Sequence, residues 1–335
     1  MKTERSGTAL WIESAGRASL RSEPLPELDG DRVEVAARFS GVSRGTESLV
    51  FGGKVPPELW DSMRCPHQAG ELSFPVKYGY CSVGRVVAGA GAAGQRVFCL
   101  YPHQDRYVVG ARDVVPIPDA VPDRRAVLAA NMETAVNGLW DAAPRVGARV
   151  AVIGAGAVGL LSARLLARIP GVELEVVEIA PEKDAIIRAL GLTPVRPEAA
   201  RGDCDLVLHA SGAPAGLALA LNLAGFEARI VELSWYGSQV VPLPLGGRFH
   251  NARLEIVSSQ VGHVASSQRP RWSYRRRMEL ALRLLEDPAY DALLGEPVRF
   301  ERLPEALPQM LARDYTGAHA GAGTGRAVTE LIEYP

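Results

Sequence analysis

The chain lacks most of what would mark a nucleic-acid-coating, secreted or membrane-embedded protein. It has no charge surplus: Lys and Arg number 37 against 38 Asp and Glu, for a formal net charge of −1. The broad basic footprint that grips a phosphate backbone without regard to sequence is therefore missing, and a small molecule is the expected partner. Cysteine is scarce. Its four copies (Cys65, Cys81, Cys99, Cys204) are scattered and form no CxxC pair, which speaks against a disulfide framework and a Cys-rich zinc knuckle and fits a reducing compartment. No run approaches the roughly 20 apolar residues that a membrane helix needs, and "MKTERSGTALWIESAG" has no signal-peptide core. A cytoplasmic protein without membrane or nucleic-acid partners is expected.

What is present is length and rhythm. With 335 residues the chain exceeds a comfortable single core, so two domains, or one wrapped around another, are expected. Up to about Pro118 come short β-branched runs broken by Gly, Pro and Asp, namely "DRVEVAARFSGVS", "VGRVVAGA", "GQRVFCLY" and "DRYVVGARDVVPIP", which predict an antiparallel, partly barrel-like β region. From Ala126 the rhythm changes. "ARVAVIGAG" reads as a buried strand, followed by a helix with Val158, Leu161, Leu165 and Leu166 near one face and a stop at Pro170 and Gly171. Strands in "ELEVVEI", "CDLVLHASG", "ARIVELSW" and "RLEIVSSQ" then alternate with helices in "PEKDAIIRALG" and "APAGLALALNLAG", which predicts right-handed crossovers and a doubly wound parallel sheet of Rossmann type. The tail, with two helices, a low-complexity "TGAHAGAGTG" and a last strand in "GRAVTELIE", returns to the first style. The predicted organisation is an α/β chain with residues 121–262 as a dinucleotide domain inserted into a β-rich domain of residues 1–120 and 263–335.

The glycine-spaced turn sits where the first parallel strand meets its helix. Gly154, Gly156 and Gly159, with Ala157 and Val158 between them, would let backbone approach a pyrophosphate at a helix N-terminus. Glu178 ends the second strand 19 residues after Gly159, where a carboxylate can accept hydrogen bonds from an adenosine ribose. A carboxylate there repels a 2′-phosphate, so NAD is favoured over NADP, while Lys183 and Arg188 pull the other way. The competing structural reading is a packing corner beside a surface glutamate.

Taken in order, "GVSRGTE" (41–47), "GYCSVGRVV" (79–87), "GQRVF" (94–98), "METAVNGL" (132–139), "VAVIGAGAVG" (150–159), "VVEIAPEK" (176–183) and "GRAVTEL" (325–331) resemble the medium-chain dehydrogenase/reductase superfamily over nearly the whole chain. The resemblance implies a Rossmann sheet inserted in a GroES-like, partly open barrel. Within the superfamily the S-x-G-T-E block and "YGYCSVGRVV" are most similar to the bacteriochlorophyllide hydroxyethyl dehydrogenase group, which implies hydride transfer at a secondary alcohol. The longer "KVPPELWDSMRCPHQAGELSFPV" and "RPRWSYRRR" depart from that group and leave the substrate open.

The zinc enzymes of this superfamily carry Cys where Ser43 stands, a His-Glu pair where Tyr80 and Cys81 stand, and a further Cys or Glu near Asn131 to Glu133. Here the first two ligands are replaced by a hydroxyl and a phenol, poor zinc ligands at neutral pH, so no zinc is expected. A rearranged site from Cys65, His67, Cys81 and His103 is the less favoured alternative. The resemblance makes Thr46 a proton-relay hydroxyl, against a plain ST-turn role. Tyr80 is either a hydrogen-bonding phenol tuned down by Lys77 or Arg44, or strand packing. Glu47 either orients Arg44 or pairs at the surface, and Glu133 is either a proton acceptor or a charge facing solvent. Thr134 and Ala135 match a pair that opens the helix beside the nicotinamide. Arg326 matches an arginine that reaches the pyrophosphate, a task suited to a guanidinium fork. Ser211 and Gly212 end one parallel strand and Ser234, Trp235 and Tyr236 follow the next, at the carboxyl rim where ligands bind. His103 and His250 read as structural, and the Arg269 to Arg277 cluster as a solvated helix face. The leading expectation is a zinc-independent, NAD(P)-dependent oxidoreductase. Alternatives are a C=C or quinone reductase and a non-catalytic NAD(P)H sensor. A homodimer through the "RLEIVSSQVG" edge is also expected.

Overall fold

The computed structural model describes residues 5–312 and 327–335. Arg326 and the "TGAHAGAGTG" segment lie outside the described residues.

Six strands form one parallel sheet, in the spatial order Pro194–Val195, Glu173–Val177, Arg149–Ile153, Cys204–His209, Ala224–Glu232 and Glu255–Ser258. All five pairings are parallel. In chain order this is 3-2-1-4-5-6, the dinucleotide-binding arrangement, and its switch point lies between Arg149–Ile153 and Cys204–His209. The central strand is buried almost throughout because helices cover both faces, which explains why "VAVI" is apolar at every position rather than at alternate ones. The helix Ala157–Leu166 buries Leu160, Leu161, Ala163 and Leu166, whereas Val158 and Leu165 are only half-buried. The inward face is thus rotated relative to the sequence expectation, since Val158 borders the cleft.

The β-rich part holds two further sheets. One runs Leu294–Arg299, Thr329–Glu333, Arg32–Val42, Ser82–Gly89, Arg96–Cys99, Val114–Pro116, with Arg106–Gly110 also on Arg32–Val42. The other joins Ser6–Ser14 and Arg17–Pro24 to the short strands Val76–Lys77 and Ala69–Gly70. The tail strand Thr329–Glu333 pairs antiparallel with Arg32–Val42, placing Ile332 opposite Ser40.

Two helices tie the sheets together. Ala129–Ala142 packs against both Ala157–Leu166 and Tyr274–Leu284, and one apolar cluster unites Met132, Leu160, Leu161, Met278 and Leu282. Tyr274–Leu284 starts where the Ser273 side chain accepts from the Arg276 amide. That helix is more than a solvated basic face: Arg277 is 1% exposed and points inward.

Candidate active site and dinucleotide cleft

A single cleft of about 2100 Å³ runs from the glycine turn to the β-rich part. Gly154, Gly156, Ala157, Val158, Glu178, Lys183, Ser211, Gly212, Ser234, Trp235, Thr134, Glu133, Tyr80, Thr46 and Arg44 all border it. Glu47 and Gly159 stand directly behind.

The glycines have distinct reasons. Gly154 has a φ of 102°, and a Cβ there would lie 2.6 Å from Ser211 Cα across the switch point. At Gly159 a Cβ would lie 2.0 Å from the Gly154 carbonyl oxygen, so helix and strand pack as closely as they do only without one. A Cβ on Gly156 would meet nothing within 4 Å, and the helix it caps has no side-chain cap. The first-turn amides are open to a ligand, and an anion suits them. The turn fits a dinucleotide pyrophosphate.

Glu178 is 6% exposed and is not a surface charge. Its Oε2 accepts from the Ala155 amide at 2.8 Å and from Lys183 Nζ at 2.9 Å, and its Oε1 accepts from the Ile179 and Ala180 amides at 2.9 and 3.0 Å. Burial pushes this carboxyl up, but Lys183 and the amides outweigh burial and hold it below the usual range. It is ionised at neutral pH and braces the phosphate turn from beneath. Arg188 is exposed and bonded to Asp184, whereas Arg196, which the sequence did not single out, donates to the Glu178 carbonyl at 2.7 Å.

At the opposite end, Tyr80 is half-buried, with the Ser43 and Thr46 side chains as neighbours that favour its ionised form. Asn131 Nδ2 reaches Ser43 Oγ at 3.5 Å. Burial first, then Cys81 and Glu47, push the phenol well above its ordinary value, so Tyr80 is a neutral donor at physiological pH. This corrects the expectation of a phenol tuned down by Lys77 or Arg44. Lys77 is buried on Glu23 and Gln104, with Nζ 2.6 and 2.9 Å from their side-chain oxygens. Arg44 reaches the Ala312 carbonyl at 3.5 Å and faces Glu330.

Glu47 is corrected too: it neither orients Arg44 nor lies at the surface. Its Oε1 accepts from the Ser43 amide at 2.7 Å and its Oε2 meets His103 Nε2 at 2.9 Å, while His103 Nδ1 meets Ser40 Oγ, which in turn meets the Tyr334 hydroxyl, each at 2.9 Å. Glu133 does not face solvent. It is 5% exposed and 3.0 Å from Arg277 Nε, and burial raises its carboxyl in spite of that arginine. Thr134 does not open its helix. It sits inside Ala129–Ala142, where its hydroxyl donates to the Ala130 carbonyl at 3.0 Å.

Cys81 is buried in the apolar cluster with its thiol pushed well above the ordinary value, and burial pushes the Cys65 thiol up to about 12. His103 and Glu133 already hold partners, and among the described residues no group of three or more His, Cys, Asp or Glu is placed to hold a metal.

The sequence reading missed one constellation. His209, fully buried at the end of its strand, sets Nδ1 against Glu232 at 2.8 Å and Nε2 against Ser211 Oγ at 2.6 Å. The available signal was a pair of two-residue spacings, His209 to Ser211 and Glu232 to Ser234, on strands that the register places side by side.

This fold and cleft define a dinucleotide-dependent oxidoreductase scaffold. No family model matches the chain. It is 30% identical over 250 residues to 2-desacetyl-2-hydroxyethyl bacteriochlorophyllide A dehydrogenase of Rhodobacter capsulatus, covering 69% of this chain and 71% of that protein. It is 24% identical over 333 residues to D-guloside 3-dehydrogenase of Escherichia coli K12, covering 90% and 92% respectively. An alcohol dehydrogenase of E. coli CFT073 complexed with NADH shares the fold at a TM-score of 0.74 and 18% identity, over 98% of this chain and 99% of that one. The chain belongs to the medium-chain dehydrogenase/reductase family and is an NAD(P)-dependent oxidoreductase of that type.

Proposed function

We propose that the protein moves hydride between NAD(H) and a secondary alcohol/carbonyl pair, with protein hydroxyls in place of a metal. The observation that carries this is the Tyr80, Thr46, Ser43 and Asn131 cluster at the end of the cleft away from Glu178. A bound nicotinamide supplies the hydride donor or acceptor. Tyr80, kept protonated, donates to the substrate oxygen, and Thr46 and Ser43 fix its phenol. Glu47 holds the Ser43 amide and so aims that hydroxyl. Trp235, half-buried and packed against the β-rich core, walls the substrate end. The ionised Glu178 supports NAD over NADP. In this reading Gly154 to Gly159 with Ser211, Gly212, Ser234 and Thr134 line the dinucleotide.

The division into residues 1–120 with 263–335 and residues 121–262 is retained, with Tyr274–Leu284 as the bridging helix. The strand Glu255–Ser258 is the outer edge of the parallel sheet and supports a homodimer by edge pairing. A cytoplasmic enzyme agrees with four free cysteines.

The test is a panel of secondary alcohols with NAD⁺ and of ketones, enones and quinones with NADH, on protein dialysed against chelator. Turnover of alcohols and ketones is expected to survive chelation, and Tyr80→Phe is expected to lower kcat by about 10²–10³-fold, as loss of a single oxyanion donor does. Activity that needs stoichiometric zinc overturns the metal-free mechanism. Reduction of enones or quinones alone assigns the other chemistry, and NADH binding with no turnover makes the protein a sensor.

A further inference from the structure

Two stretches of the sequence have no part in the chemistry above, "KVPPELWDSMRCPHQAGELSFPV" and the Arg-rich "RPRWSYRRR". Far apart in the chain, they meet on one wall of the cleft. The first brings residues 62–67 to that wall, and the second brings Tyr274 and Arg275. They join at the turn Ala111–Asp113. Arg275 Nη1 donates to the Arg112 carbonyl at 3.1 Å and to the Val114 carbonyl at 3.2 Å, while from the other stretch His67 Nε2 lies 3.9 Å from Asp113. His67 is held in the left-handed region at a φ of 58°, with its ring tilted onto Tyr101 at 5.2 Å.

This wall belongs to the Tyr80 end of the cleft. Ser82 pairs with Cys99 and Cys99 with Val114, both antiparallel, so the outer two of these three strands run the same way. Tyr80 comes just before Ser82 and Arg112 just before Val114. Both residues therefore leave the sheet at the same edge, with backbones roughly 10 Å apart at two strand spacings. Leu100, which follows the strand between them, borders the cleft and is apolar. Cys65 shares an apolar cluster with Tyr78, whose ring meets that of Tyr80 edge-on at 6.1 Å.

The wall is cationic. Arg64, Arg112 and Arg275 border it, against the single carboxylate of Asp113. Arg64 is engaged by Glu71 at 2.9 Å and Arg275 by Glu279 at 3.0 Å. The Arg112 guanidinium has no side-chain partner among the described residues. Asp113 does not take it: its Oδ2 is turned back on Gly110, 3.1 Å from where a Cβ on that residue would lie.

We propose that this wall selects substrates that carry an oxyanion, a carboxylate or a phosphate ester, on an apolar body that separates it from the carbinol by roughly two strand spacings. Arg112 binds the anion, since a guanidinium offers either oxyanion two parallel N–H donors. The inference rests on the alcohol/carbonyl reading above and names its substrate class. Leu100 and Tyr78 cover the apolar body, Arg275 holds the turn that carries Arg112, and residues 62–67 flank it. Arg112 is remote from the reacting carbon and binds ground state and transition state alike, so it sets KM and leaves kcat alone.

The test uses matched ligands on the NADH complex, in which the pyrophosphate site is already filled. Phenylalkanoates of increasing chain length, the phosphate monoesters of equal length and the neutral amides are titrated calorimetrically into wild type and Arg112→Gln. Wild type is expected to bind the best-fitting anion about 10–10²-fold more tightly than its amide, as a charge-assisted hydrogen bond does. Arg112→Gln is expected to lose that difference and to bind the amide within about twofold of wild type. Arg112 is exposed, so the variant is expected to melt with wild type. The tighter of carboxylate and phosphate identifies the oxyanion. In turnover, ketones bearing that anion are expected to show KM raised by the same factor in Arg112→Gln at unchanged kcat, with the neutral ketones unaffected. Equal affinity for anion and amide at every length, absence of binding by both included, overturns the proposal, as does an anion preference that survives in Arg112→Gln. The titration needs no turnover, so a failed alcohol panel and a failed anion preference are distinguishable.

Discussion

Arg277→Met is the most exacting perturbation for this architecture. The guanidinium is 1% exposed and bonds Glu133 at 3.0 Å, the Asn137 side-chain oxygen at 2.6 Å and the Val261 carbonyl at 2.5 Å. Methionine keeps the apolar stem but leaves the Glu133 carboxylate buried without a partner. Breaking a buried pair from one side costs about 3–5 kcal/mol, or roughly 6–20 °C in melting temperature for a unit of this size. Adding Glu133→Gln removes the orphaned charge and is expected to restore most of the loss, so the two changes are far from additive. Acid gives a second check. Glu133 already has a raised carboxyl in the folded state, and losing Arg277 raises it further. A raised folded value favours the fold below the unfolded value and loses that contribution as pH climbs through the folded one. The Arg277→Met deficit is therefore widest at neutral pH and shrinks on acidification, whereas a simple packing defect would not change. Thermal melts of wild type, both singles and the double across mildly acidic to neutral pH decide it. A single-variant loss under about 1 kcal/mol, or additivity, refutes the reasoning.

Gly159→Ala puts a Cβ 2.0 Å from the Gly154 carbonyl and forces the helix away from the strand, so NADH affinity is expected to fall at least about tenfold with a stability loss of about 1–3 kcal/mol, read by fluorescence titration and melting. Glu178→Gln removes the anion that bonds the Ala155, Ile179 and Ala180 amides. Isothermal titration is expected to show NADH binding weakened by about 10-fold or more and the preference over NADPH narrowed. The Glu178 carboxyl is depressed in the folded state, so its stabilisation is present at neutral pH and is lost as pH falls through the folded value; Glu178→Gln flattens that acid limb.

The parallel sheet was legible because its central strand is apolar from Val150 to Ile153 and because strand-like and helix-like runs alternate with Pro and Gly near their ends. The glycine turn was legible by spacing. Residues whose role depends on a partner far along the chain were not. Arg277 belongs to a run of arginines and reads as solvated until the helical period puts it on the face of Ala281, which is buried. Its partner Glu133 lies 144 residues away. His209 and Glu232 meet only because two parallel strands share a register that neither strand specifies alone. Tyr80 was identified as a candidate, but its protonation follows from burial and from Glu47 and Cys81, which composition does not reveal.

The strand Thr329–Glu333 lies between Leu294–Arg299 and Arg32–Val42, and Tyr334 touches Ser40 across a sequence separation of 294 residues. During synthesis the β-rich layer therefore stays one central strand short until nearly everything after it has left the ribosome, while the glycine-turn sheet can already close around its own helices. The nascent chain waits with the Phe39–Val42 half of the Arg32–Val42 strand unpaired on one side, since Arg106–Gly110 already covers Arg32–Ala36, which makes that half the place where a holdase would be needed.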